Sequence, residues 1–136
     1  MNTKPYLTLA DAKQIGAAAE AEALANGWAV SIAIVDDGGH LLWQQRLDGA
    51  PPISSHIAPS KANTAALGRR ESKVYEDVIN GGRMSFLSAP KLEGMLEGGV
   101  PVIVDGHVIG AVGVSGVKSH EDVQIAKAGI AALGTA

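Results

Sequence analysis

The chain contains no cysteine, which excludes disulfide frameworks, thiolate nucleophiles and cysteine-ligated metal centres and accords with a reducing compartment. Charge is scarce as well: charged residues supply only 18% of the chain, against 46% hydrophobic. Burial can therefore offset chain entropy, while so lightly charged an exterior suits contacts between subunits. There is no basic excess. The formal net charge is -3, whereas nucleic-acid affinity rests mainly on Lys and Arg neutralising phosphates, so DNA and RNA are not expected partners. The densest basic stretch, Arg69, Arg70 and Lys73, lies beside Glu71, Glu76 and Asp77 and reads as a solvated helix end. No apolar run approaches the ~20 residues that cross a bilayer, and the opening MNTKPYLTLADAKQ lacks the basic patch, apolar stretch and cleavage site of a secretory signal. The expectation is a cytoplasmic protein without a membrane partner.

What is present fits one domain, residues 1–136. Thr8 stands before apolar positions that recur at helical spacing (Leu9, Ala12, Ile15, Ala19, Ala23), predicting a capped helix that runs to Asn26 and is stopped by Gly27. Residues 28–35 are rich in β-branched side chains. They lead through Asp36-Asp37-Gly38-Gly39 into 41–46, a predicted hairpin. The pattern returns at 101–104, the turn Asp105-Gly106-His107, and 108–114. Hairpins are antiparallel connections, so the expected fold is α+β, helices on an antiparallel sheet, not a doubly wound parallel sheet. The glycines of 110–116 superficially resemble a phosphate loop, yet their alternation with apolar residues suits a strand. Between the hairpins, 57–68 reads as a helix with Pro59 near its start, Gly68 at its end and Ser54 or Ser55 as cap. A shorter helix is expected over 72–79. The stretch 83–99 is irregular, with room for a short fifth strand. A last helix is expected from His120 or Glu121 to Leu133, with Ser119 as its cap and Asp122 in its first turn.

The ordered combination VDDGGHL…RLDGA, KANTAA and DGHVIGAVGVSG followed by HEDVQIAKAGIAAL resembles the GlcG/HbpS family of small haem-binding or "haem-degrading" domains, also found as the C-terminal domain of PduO-type proteins. The resemblance covers nearly the whole chain. It implies a profilin-like fold with a five-stranded antiparallel sheet flanked by helices, and homo-oligomers, dimers or octamers. For function it implies haem binding in some members and a place near catabolic or cobalamin-linked enzymes in others.

Haem needs an apolar slot, an axial donor and a cation near its propionates. Of the four histidines, His40 follows the first hairpin turn, His107 sits in the second, and His120 opens the last helix; a lone turn histidine is usually a solvated polar group. His56 adjoins the helix segment that matches the family and is the preferred iron ligand. Lys61 and Thr64, three apart, share a helix face on which an ammonium and a hydroxyl can hold a carboxylate or propionate; equally, Lys61 can reach solvent while Thr64 bonds back to its helix. Arg46 and Asp48 leave the second strand as a possible carboxylate fork or a structural pair. Ser115 and Gly116 can offer backbone N–H groups to an anion or merely end a strand.

With no cysteine and no Gly-x-Ser-x-Gly elbow, nucleophilic acyl transfer has little support. Acid/base chemistry would fall to His56 with Lys61, or Asp48 with Arg46. Three readings follow: a haem-binding or haem-handling protein; a catabolic enzyme or accessory protein acting on a small carboxylated metabolite around Arg46, Lys61 and Thr64; and a structural oligomeric module.

Overall fold

Thr8 begins the first helix as its position predicts. In the computed structural model, which describes residues 1–134, Thr8 Oγ1 accepts the Asp11 N–H at 3.1 Å and the Asp11 carboxylate accepts the Thr8 N–H at 3.0 Å. This reciprocal box satisfies two donors that a helix start leaves free. Helix α1 (Leu9–Ala25) follows, and Gly27 turns the chain away with φ 70°. Strands β1 (Ser31–Asp36) and β2 (Leu41–Arg46) form the first hairpin, β3 (Gly99–Val104) and β4 (His107–Ser115) the second. The two hairpins join through β1 and β4, giving one antiparallel sheet in the order β2-β1-β4-β3.

The sheet is covered on both faces. Ile32, Ile34, Val112 and Val114 point toward α1 and α4 (Ser119–Ala131), packing with Ile15, Ala19, Ile125 and Ala126. On the other face, Val35 and Ala111 pack against Ala62, Ala65 and Ala66 of α2 (Ser54–Gly68). Alanines on α2 and glycine on β4 permit close approach. A Cβ on Gly113 would run into the Ala58 carbonyl and the Ala62 nitrogen.

The mixed α/β class holds, but among the described residues the sheet has four strands, not five. Residues 83–98, where a fifth strand had room, form a short 3-10 helix (Met84–Ser88) and loop. Ser72 ties down the far end of that loop: its Oγ donates to the Leu96 carbonyl at 2.5 Å and accepts the Gly99 N–H at 2.8 Å. A side chain thus does locally what a ladder would have done. Helix α3 (Lys73–Asn80) lies one residue later than expected and buries no residue fully.

Two caps differ from expectation. Helix α2 starts at Ser54, so neither Ser54 nor Ser55 caps it; their hydroxyls bond back to the Pro51 and Pro52 carbonyls. The early start leaves Pro59 inside the helix, where its missing N–H frees the Ser55 carbonyl. Gln44 Nε2 from β2 donates to that carbonyl at 2.7 Å. At α4 the cap position is Lys118, not Ser119, and the Lys118 N–H is received by Glu121 at 3.1 Å. No helix among the described residues is long and apolar enough to cross a membrane.

Candidate functional site

The β1–β2 turn is organised by one carboxylate. Asp36 Oδ1 accepts the N–H groups of Gly38 and His40, each at 2.9 Å, while the Asp36 N–H donates to the His40 carbonyl at 2.8 Å. The turn carries His40 back against the α-carbon of Gly38, where an added Cβ would sit 3.1 Å from the ring. Gly39, at φ 81°, presses on the Asn63 side-chain oxygen of α2 so closely that no Cβ fits. Asn63 in turn donates through Nδ2 to the Lys91 carbonyl at 2.8 Å. One asparagine therefore joins the turn, the helix and the irregular segment.

These three pieces enclose an open cleft of about 610 Å³, within the usual range for small-ligand pockets. The turn contributes Gly38, Gly39 and His40; α2 contributes Pro59, Ser60, Asn63 and Leu67; Lys91 and Glu93 form the third wall. The cleft combines apolar surface, an imidazole, an ammonium and a carboxylate. His56 is exposed in the first turn of α2. At positions 56, 60, 63 and 67 the spacing is helical, so His56 extends the stripe that forms the α2 wall.

The other sequence candidates lie elsewhere. Lys61 is 4% exposed, and its Nζ donates to Asp122 Oδ2 at 3.1 Å and to the Val114 carbonyl at 3.0 Å. A Cβ on Gly98 would strike that Nζ, so glycine is what admits the ammonium. The carboxylate Lys61 was expected to hold is thus the protein's own. Asp122 Oδ1 also accepts the Val117 N–H at 3.3 Å, placing the same carboxylate beside the Ser115-Gly116 strand end, where the sequence suggested an external anion. Burial pushes the Asp122 carboxyl up to about 6, against the pull of the Lys61 ammonium and the Val117 N–H. Thr64 shares the inward face with Lys61 but is fully buried, and its Oγ1 lacks a hydrogen-bond partner among the described residues. The expected back-bond from Thr64 to its own helix is not formed.

Arg46 and Asp48 are exposed and line a shallow hollow of about 300 Å³ with Glu20, Gln45 and Leu47; Lys61 and Thr64 do not contribute to it. Arg46, Lys61 and Thr64 therefore do not line one pocket. Asn63 and Lys91, which line the cleft with His40, and Asp122, which pairs with Lys61, were not among the sequence candidates. The DDGGH turn was a signal for His40; nothing local marks Lys91, whose place depends on the fold. Among the described residues no group of three His, Asp or Glu stands ready to hold a bare metal ion.

The family model described as "Haem degrading protein HbpS-like" matches residues 7–131. Protein GlcG of Escherichia coli K12 is 56% identical over 115 residues, 85% of this chain and 85% of the relative. A double mutant of Streptomyces reticuli HbpS superposes with a TM-score of 0.87 at 33% identity, covering 98% of this chain and 91% of that one. The crystal structure of a PduOC:haem complex superposes with a TM-score of 0.85 at 31% identity, covering 97% of this chain and 98% of that one.

Proposed function

The chain belongs to the HbpS-like family, and from that premise we propose that it binds haem, in the cleft between the β1–β2 turn, α2 and the Lys91–Glu93 segment. The observation that carries this reading is His40, fixed by the Asp36-centred turn on the wall of the cleft. The residues fit the group by three requirements. The His40 imidazole would supply a donor to the iron, Pro59 and Leu67 apolar surface for the porphyrin, and Lys91 a cation for a propionate. With only one histidine in the lining, the cleft suits an iron already held by a porphyrin better than a bare ion. Likeness to a chain solved as a haem complex supports the same ligand class.

His56 is the competing donor, because it lies on the α2 stripe just beyond Ser60. When bound, haem would supply iron-centred ligand binding and redox chemistry. The chain's own contribution is to fix the His40 backbone through its bonds to Asp36 and to brace the third wall through Asn63.

Titration of the purified protein with haem tests the assignment, with His40→Ala and His56→Ala alongside the parent. A saturable Soret change is expected, weakened about tenfold or more by His40→Ala, as for loss of an interaction worth about 1.4 kcal/mol, and little altered by His56→Ala. A linear, featureless response in all three proteins would overturn haem binding. A loss confined to His56→Ala would overturn the choice of donor.

A further inference from the structure

The start of the chain, the end of α2 and the β3–β4 turn meet in a second hollow of about 420 Å³, lined by Lys4, Arg69, Ile103, Gly106, His107 and Val108. Three basic side chains from three separate segments stand there, and none of the lining residues is acidic. Asp37 braces two of them: its carboxylate Oδ2 lies 2.6 Å from Lys4 Nζ, and its main-chain carbonyl accepts Arg69 Nη1 at 2.6 Å. Lys4 and Arg69 hold the Asp37 carboxyl below the ordinary carboxylate value. Ionised, it cancels one of their two charges, so one permanent cation is left over before His107 is counted.

Arg69 is the unusual member. It is the residue that ends α2, with φ 58° in the left-handed region, a position that glycine or asparagine usually takes because a Cβ there is unfavourable. Gly68 falls one residue too early, where a Cβ would run into Tyr75. An arginine is thus kept where the backbone alone favours glycine, and strained backbone of this kind gathers at ligand sites. Its Nη1 is clamped by the carbonyls of Asp37 and Ala66, which aims the guanidinium. Among the described residues Nε and Nη2 make no hydrogen bond, so part of the fork is left for another acceptor. Beside these cations stands exposed apolar surface from Ile103, with Val108 half-buried next to it.

We propose that this hollow binds a small organic carboxylate, its carboxylate on Arg69 and Lys4 and its short apolar body against Ile103 and Val108. Charge-assisted hydrogen bonds to a planar fork favour a carboxylate, and the apolar wall favours a carbon chain over a bare inorganic anion. The hollow shares no lining residue with the haem cleft, so the two sites stand or fall separately.

The test is a nitrogen-15 NMR titration of the whole chain with sodium butyrate, with inorganic phosphate and chloride at equal ionic strength for comparison. The Gly106, His107 and Val108 amides and the Arg69 Nε–H signal should shift saturably with butyrate. Arg69→Gly should weaken binding about tenfold or more while leaving the melting temperature equal or higher, because glycine suits the left-handed position. Lys4→Gln, in a segment outside helix and strand, should also weaken it, and His40→Ala should leave it unchanged. Linear shifts equal to those with chloride would overturn the site. Phosphate binding as tight as butyrate would overturn the organic ligand class, and parental affinity in Arg69→Gly would overturn the role of the guanidinium.

Discussion

Lys61 shows how a side chain can look like a ligand in sequence and prove structural in the fold. Its position on a helix beside Thr64 suited carboxylate binding, and it does bind one, from Asp122 sixty-one residues on. The pair is buried on both sides, 5% and 3% side-chain exposure, so removing one partner strands a charge. Asp122→Ala is expected to lower stability by about 3–5 kcal/mol in urea unfolding, and Lys61→Met combined with Asp122→Leu to recover most of that loss. The pH response follows from the raised carboxyl. Since Asp122 titrates at about 6 when folded against 3.8 ordinarily, the folded protein binds that proton more tightly than the unfolded chain. Its contribution to stability therefore rises as pH falls through the folded value and levels off below the ordinary one. Between about pH 7 and about pH 5 the parent should gain about 1.4 kcal/mol relative to Asp122→Asn, the linkage of one pKa unit. A relative loss would show that Lys61 outweighs burial. At Thr64 the buried hydroxyl without a partner costs stability, so Thr64→Val is expected to be neutral or stabilising in the same assay. A loss beyond about 1 kcal/mol would mean that the hydroxyl is engaged.

Elements were legible where periodicity and turn chemistry agreed. Alternation and β-branching placed both hairpins, and the Thr8 cap placed the start of α1. Misplacements came where a distant group supplied what local sequence lacked. Proline inside α2 reads as a helix start because its own carbonyl partner is orphaned, but Gln44 on β2 satisfies the Ser55 carbonyl instead. Gln44→Ala should therefore cost about 1 kcal/mol in unfolding free energy, and Pro59→Ala in that background should restore part of it by returning the helix's own N–H. The expected fifth strand failed for a similar reason, since side chains from elsewhere hold the loop before Gly99: Ser72 at its far end, Asn63 at Lys91 and Glu76 at Glu97. Of the candidate site, the turn was visible in DDGGH. Its opposing walls were not, because Asn63 and Lys91 meet His40 only after the sheet and α2 have packed.

At the scale of the molecule, two hairpins joined through β1 and β4 leave one end of the β1–β2 hairpin facing α2, and that junction makes the cleft. On the proposed function, haem bound there would stabilise the folded state by mass action, by about 2.7 kcal/mol at a free concentration one hundred times the dissociation constant. A corresponding rise in the chemical-unfolding midpoint is expected, and its absence at saturation would argue against binding to the folded form. A spectral titration locates the ligand only through variants. Anomalous diffraction at the iron absorption edge, from crystals grown with haem, locates the metal outright. One strong iron peak is expected beside the His40 imidazole, within the cleft walled by Asn63 and Lys91; an iron peak at His56 alone, or at a site sharing none of the cleft residues, would contradict haem binding in this cleft.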